Sequence, residues 1–147
     1  MGDYREMGKY ISILQRLNNM YYVNQLASYQ IGFGQQFFLL RICDNPGMKI
    51  QDLASFGHFD KATAARAVKK LEEEGYVRTE MGKVDKRVRR IYVTDKAKPV
   101  VEKTRECVDE WSEIILDGFE SEERQQAMQL LVRMANNAYQ YNVKRKD

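Results

Sequence analysis

The chain is 147 residues long, carries 24 basic and 21 acidic residues, and is 44% hydrophobic. That apolar content suits one domain, or a small module joined to extra helices, and excludes a disordered polyelectrolyte. The formal charge of +3 means little alone, but residues 60–90 hold ten of the basic and six of the acidic residues, so the surplus is local and suggests a docking surface for a polyanion.

From Met7 the larger apolar residues fall at Tyr10, Ile11, Leu14, Leu17 and Tyr21, a three-and-four spacing that predicts one helical stripe ending near Ala27. SYQIGFGQ reads as a connection. Gln36 to Cys43 then predicts a short apolar helix, stopped by Asp44, Asn45, Pro46 and Gly47. MKIQDLASFGHF allows a short helix around Gln51 to Phe56, with Gly57 supplying the reversal before Asp60.

The most legible helix is DKATAARAVKKLEEEGY. Asp60 offers a side-chain acceptor at the N-cap, and Gly75 stands where a left-handed C-cap belongs. Ala64, Ala67, Val68 and Leu71 form a narrow inner face, leaving Lys61, Thr63, Arg66, Lys69 and Lys70 outside. Tyr76 to Met81 and Arg89 to Thr94 are β-prone and flank Gly82 to Val88, which predicts a two-stranded hairpin with a long charged tip. From Asp95 a second long helix carries Val100, Val101, Thr104, Cys107, Val108, Trp111, Ile114 and Ile115 on one side and breaks near Asp117 and Gly118. A last helix starts at Ser121, with Glu122, Glu123 and Arg124 close by, and continues the stripe through Ala127, Leu130, Leu131, Met134, Ala138 and Tyr141.

Other chemistries find little support. His58, the only histidine, would have to serve any Ser-His-Asp arrangement, and its place in a tight turn favours a cap or core role. One histidine and two separated cysteines hardly make a metal site, and no cofactor is expected. GFG at 32–34 lacks the preceding strand and third glycine of a dinucleotide loop, so it reads as a hinge or helix entry. Cys43 and Cys107 have no CxxC partner and lie in apolar helical contexts, as reduced thiols of a cytoplasmic protein do; no run is long enough for export or anchoring.

Three helices followed by a hairpin describe a winged helix-turn-helix, whose third helix fits a major groove while the hairpin tip reaches the adjacent minor groove. Over nearly the whole chain the residues resemble the MarR family of transcription regulators. The carrying stretches are KIQDLASFGHFDKATAARAVKKLEEEGYV and VDKRVRRIYVTDKA, and the most specific piece is Asp85-Lys86-Arg87 leading into Arg90-Ile91-Tyr92-Val93-Thr94.

The resemblance implies a mainly α fold with a small β-hairpin: a dimerisation helix in 1–30, a winged helix-turn-helix lobe in 31–94, and C-terminal dimerisation helices in 95–147. Tyr10, Leu14, Trp111, Ile115, Leu131 and Met134 would then meet a second copy in a homodimer. It makes Asp85 the anion that shapes the wing and Arg87 the minor-groove probe, flanked by Lys86 and Arg89. Lys61, Ala62, Thr63, Ala65, Arg66 and Lys70 occupy the face of the family's major-groove readers, with Lys69 and Lys70 suited to phosphate. Ala62 and Ala65 stand where hydroxyl residues are common, so contact with thymine methyl groups would replace hydrogen bonds there.

The implied partner is double-stranded DNA, bound at a pseudo-palindromic operator by a repressor. Several members of the family respond to small phenolic or lipophilic anions; here Tyr21 and Phe37 with Arg16 or Arg41 would suit an aromatic carboxylate, and simple core packing is the alternative for each aromatic of Tyr10, Tyr21, Tyr22, Tyr29, Phe33, Phe37 and Phe38. Two further readings stay open. Cys43 could sense oxidants, although Arg41 is the only cation nearby in sequence, and the lobe could dock protein rather than DNA. A small enzyme is disfavoured, because the chain offers no convincing acid-base pair.

Overall fold

The computed structural model describes residues 3–32 and 34–146; Phe33, counted above among the aromatic side chains, lies outside the described residues. In chain order the elements are α1 (Met7–Leu26), α2 (Gln35–Asp44), β1 (Met48–Lys49), α3 (Ile50–Phe56), α4 (Lys61–Glu73), β2 (Val77–Met81), β3 (Arg89–Val93), α5 (Lys98–Ile115) and α6 (Ser121–Lys146). Short 3₁₀ turns at Ala27–Tyr29 and Asp95–Ala97 follow α1 and precede α5. No helix among the described residues is long and apolar enough to cross a membrane.

The helix signals act as their chemistry requires. Asp60 takes an extended conformation and its carboxylate accepts the Thr63 N–H at 2.7 Å, starting α4. Gly75 adopts φ 82°, and Tyr76 N–H reaches back to the Leu71 carbonyl at 2.9 Å, closing the helix. The buried residues of α4 are the four small or aliphatic ones read from its pattern, Ala64, Ala67, Val68 and Leu71.

The expected hairpin is in fact part of a three-stranded antiparallel sheet in the order β1-β3-β2. β2 and β3 pair from Val77 with Val93 to Met81 with Arg89, and β1 adds Met48 opposite Ile91 and Lys49 opposite Arg90. Gly47 secures that edge: its N–H donates to the Ile91 carbonyl and its own carbonyl accepts from the Arg90 guanidinium, each at 2.9 Å. The turn between α3 and α4 also differs from expectation. The left-handed residue is His58 (φ 57°), while Gly57 has φ −113°. Gly57 is needed for space, since a Cβ there would lie 2.4 Å from the Phe59 ring and 2.8 Å from that of Phe37.

The chain divides into two compact units after Trp111. In the first, Leu26, Leu39, Ile42, Leu53, Leu71, Ile91, Val100 and Cys107 form a fully buried core contributed by α1, α2, α3, α4, the sheet and α5. Thr104 is buried with them, its hydroxyl donating to the Val100 carbonyl at 2.7 Å. In the second unit, Arg124 holds the turn into α6: its guanidinium pairs with Glu113 at 2.9 Å and donates to the Leu116 and Phe119 carbonyls, each at 3.3 Å. At the α6 start Glu123 accepts the Glu120 N–H at 2.8 Å. No residue from Ser121 to Arg145 is buried, although Leu130, Leu131, Met134 and Tyr141 are among them.

Candidate nucleic-acid interface

Burying the small face of α4 turns its other face to solvent. Lys61, Ala62, Ala65, Arg66, Lys69 and Lys70 are all exposed, and Thr63 is half-buried. Fully helical geometry places Lys61, Ala65 and Lys69 on one ridge and Ala62, Arg66 and Lys70 on the next. The Thr63 side chain accepts a hydrogen bond from the Arg66 guanidinium at 3.2 Å, so it orients that arginine along the exposed face.

The wing is shaped by Gly82 and Asp85. A Cβ at Gly82 would sit 2.5 Å from the Asp85 carbonyl oxygen, and the Gly82 N–H closes the loop on Val88 at 2.7 Å. One Asp85 carboxylate oxygen accepts the Arg87 backbone N–H at 3.0 Å and its Nε at 3.1 Å; the other accepts Nη2 at 3.2 Å. The Arg87 guanidinium, then its backbone N–H, hold the Asp85 carboxyl below its usual 3.8, with a smaller contribution from the Lys49 charge. The Arg87 side chain is 90% exposed, so the pair organises the tip more than it stabilises the fold.

The crowded arginines have separate settings. Arg87 is held by Asp85 and Arg90 by the Gly47 carbonyl, whereas Arg89 is exposed and makes no ion pair or side-chain hydrogen bond among the described residues. Arg78 lies over the Tyr92 ring, 4.5 Å from its centroid, and pairs with Glu80. The missing strand β1 had hidden a further cation: pairing with β3 brings Lys49 to the foot of the wing. Nothing in the sequence marks it, since Met48 and Lys49 are too few to show alternation.

Away from this surface, a cavity of about 400 Å³ is lined by Asn18, Tyr22, Gln36, Phe37, Leu40, Arg41, Asp44 and Val108. Of the anticipated ligand residues, Phe37 and Arg41 line it, and Arg16 and Tyr21 do not. Tyr22 faces inward in place of its neighbour, because adjacent helical positions are about 100° apart. Tyr21 instead stacks on Trp111 with ring centroids 4.8 Å apart and donates its hydroxyl to Glu110 at 2.8 Å. Burial, then that carboxylate, pushes the Tyr21 pKa well above its ordinary value. The stacking also leaves Trp111 only half-exposed, while Tyr10, Leu14, Ile115, Leu131 and Met134 are exposed.

The Arg41 guanidinium lies between the Phe37 and Phe56 rings, 5.4 and 5.5 Å from their centroids, and forms no ion pair among the described residues. Gln36 is 8% exposed and its Oε1 has no hydrogen-bond partner. At the cavity edge Arg105 corrects the view that only Arg41 could attend Cys43: it reaches the Cys43 sulfur at 3.8 Å and the Asp44 carboxylate at 2.7 Å. Cys43 is also half-buried, whereas Cys107 is buried and its thiol is pushed up by that burial. His58 is exposed in its turn, and the described residues hold no cluster of metal-ligating side chains.

A helix-turn-helix made by α3 and α4, followed directly by a β2-β3 wing, defines a winged helix-turn-helix protein. Residues 34–88 match the MarR family, and the chain belongs to that family of transcriptional regulators, which are not enzymes. It is 32% identical over 133 residues to YybA of Bacillus subtilis (strain 168), named as an uncharacterised HTH-type transcriptional regulator, covering 90% of this chain and 86% of the relative. A MarR protein structure from Peptoclostridium difficile DA00132 is 33% identical, with a TM-score of 0.88 over 95% of this chain and 91% of its own. A structure from Listeria monocytogenes complexed with a 26mer DNA shares the fold at 24% identity, with a TM-score of 0.82 over 99% and 95% of the two chains.

Proposed function

We propose that this regulator is a cytoplasmic homodimeric repressor that binds a pseudo-palindromic operator in double-stranded DNA and releases it on binding a small aromatic carboxylate or phenol. The observation that carries the DNA reading is the exposed cationic face of α4, held in one compact unit with the wing that presents Arg87 and Arg89. Insertion of α4 into the major groove would bring Lys61, Thr63 and Arg66 toward base edges, Ala62 and Ala65 toward thymine methyls, and Lys69 and Lys70 toward phosphates. Lys86, Arg87 and Arg89 would follow the neighbouring backbone and minor groove. Cations on this face argue against a protein-docking lobe, and the fold relative complexed with DNA supports the same choice.

The dimer is supported by apolar surface without a partner in one chain. Leu14 on α1 is 50% exposed and Leu131 on α6 is 52% exposed, within stripes that also include Tyr10 and Met134. A second copy covering these residues, with Ile115 and the accessible edge of Trp111, would place half-sites about one helical turn apart. The effector is supported by the cavity carrying Phe37, the uncompensated Arg41 and the orphan Gln36 oxygen. For a full switch it must favour the incompetent spacing roughly ten-thousandfold, about 5.5 kcal/mol.

The test is titration of the purified protein with its own upstream DNA at moderate salt, with and without benzoate or salicylate. Saturable binding that either compound weakens is expected. Equal affinity for duplex and an unrelated polyanion would overturn the DNA reading, and indifference to both compounds would remove the effector class. Leu131→Asp is expected to give monomers by light scattering; a persistent dimer would put the interface elsewhere. The Arg105 contact to the Cys43 sulfur favours a second reading, oxidant-driven release, which requires that peroxide weaken DNA binding by the native protein and not by Cys43→Ser.

A further inference from the structure

Two clefts flank the foot of the wing, and their charge differs. The larger, about 500 Å³, mixes Lys49, Lys83 and Arg90 with the carboxylates of Glu80 and Asp85. The smaller, about 200 Å³, is lined by Lys49, Ile50, Gln51, Arg87, Val88 and Arg89, with three cations and no carboxylate. Neither Lys49 nor Arg89 is within ion-pair distance of an acidic side chain among the described residues, and Arg87 alone has one, Asp85. Asp85 offsets the Arg87 charge, so folding leaves Lys49 and Arg89 as the two cations of the cleft without an acidic partner among the described residues, a surplus that an incoming anion relieves. The space is several times the roughly 30 Å³ taken by a water molecule, so an incoming anion displaces water rather than side chains.

We infer that this smaller cleft seats one backbone phosphate of the duplex, held by Lys49 from the strand entering α3 and by Arg89 from the wing, with the Asp85-bound Arg87 at its rim. The inference rests on the DNA reading above and adds Lys49 to it. Its consequence is mechanical: the same phosphate ties the helix-turn-helix to the wing, fixing the angle at which both meet the DNA. A backbone phosphate is favoured over a carboxylate effector because the cleft has no aromatic wall, only Ile50 and Val88, and opens between two elements that the duplex must contact together.

The experiment is a salt series on operator and random duplexes with wild type, Lys49→Ala, Lys49→Arg, Arg89→Ala and the Lys49→Ala/Arg89→Ala pair. Each neutralised phosphate contributes about 0.9 to the slope of log affinity against log salt. Between 50 and 200 mM salt, wild type is therefore expected to lose up to about 3.5-fold more affinity per bound protomer than Lys49→Ala, the bound reached if the phosphate contact needs both cations. Lys49→Arg restores the slope, operator and random DNA are affected alike, and the double variant loses less than the sum of the singles, because both cations serve one phosphate.

An unchanged slope in Lys49→Ala, or strict additivity in the pair, overturns the shared seat. If Lys49→Ala is not folded by circular dichroism, Lys49→Gln and Arg89→Ala carry the comparison. Exchanging chloride for inorganic phosphate at equal ionic strength is expected to weaken duplex binding by wild type more than by Lys49→Ala, because the free anion competes for the same cations; equal weakening of the two would overturn the phosphate seat. Wild type that binds no duplex removes the DNA reading and this inference with it, whereas duplex binding with an unaltered Lys49→Ala slope removes this inference alone.

Discussion

Asp60 is asked to do opposite things for folding and for binding, and two substitutions separate them. Its carboxylate accepts the Thr63 N–H at 2.7 Å at the first turn of α4, the turn that carries Lys61, Ala62 and Thr63. Asp60→Ala removes the acceptor, at a cost of about 1 kcal/mol, together with a negative charge at the positive end of the helix, at up to about 0.5 kcal/mol for an exposed group. For a chain of this size the sum lowers Tm by about 3–6 °C. Asp60→Asn keeps an acceptor and loses only the charge, so it should cost no more than about 0.5 kcal/mol. Toward DNA the signs reverse: at roughly 8 Å in water, removing one carboxylate from beside a phosphate relieves roughly 0.5 kcal/mol, about a twofold gain per half-site. Asp60→Asn should therefore bind duplex more tightly at low salt with little change in Tm. Asp60→Ala should bind less well than Asp60→Asn, because the reading face must first order its frayed turn. Thermal melts and fluorescence anisotropy at two salt concentrations measure both quantities. Equal destabilisation by the two substitutions would show that charge rather than hydrogen bonding starts the helix, and an unchanged Asp60→Ala melt would refute the cap altogether.

Arg89→Ala should flatten the salt dependence of DNA binding and leave the stability within about 0.5 kcal/mol of wild type, whereas Arg90→Ala should cost about 1 kcal/mol by releasing the Gly47 carbonyl; thermal melts with the reverse pattern would exchange their roles. Gln36→Leu should raise the stability of the ligand-free protein by about 1 kcal/mol, since it removes a buried oxygen without a partner, and should weaken the response to salicylate, whose hydroxyl can donate to that oxygen, more than the response to benzoate, which has no donor; an unchanged salicylate response would move the effector elsewhere. Asp85 has a depressed pKa, so its wing bonds are fully present above about 3.8 and are lost only as pH falls through the lower folded value. Hydrogen exchange at the Arg87 amide, corrected for its intrinsic pH dependence, should keep constant protection from pH 7 to about pH 4.5, and loss near pH 6 would contradict the Asp85 contact.

What could be read from the sequence is what neighbouring residues decide. The α4 cap, its small inner face and its glycine stop are separated by a few residues each, and Asp85 reaches Arg87 two positions away. What could not be read depends on residues far apart. β1 is two residues long and exists through pairing with β3; Arg105 reaches Asp44 across 61 positions, and that pairing also brings it to Cys43. The turn before α4 illustrates a subtler failure. Gly57 suggested a left-handed residue, but close packing of Phe37 and Phe59 demanded its missing Cβ, and the positive φ fell on His58. In α1, periodicity identified an apolar stripe with Tyr21 on it, but that stripe is exposed through Tyr10, Leu14 and Leu17, and the cavity is lined by Tyr22, about 100° away.

The wing shows why three neighbouring arginines are compatible with a stable fold. Were all three unpaired, their repulsion would add to the cost of closing an exposed loop. Asp85 neutralises Arg87 and uses the same carboxylate to hold the loop backbone, so the charge and the shape of the tip depend on one residue. Arg90 is turned to the Gly47 carbonyl in the turn between α2 and β1, where its positive charge strengthens a hydrogen bond that ties β3 to that turn. Of the three, Arg89 makes no ion pair or side-chain hydrogen bond among the described residues. Removing Arg89 should therefore change what the wing binds, while removing Arg90 changes whether the wing is there to bind it.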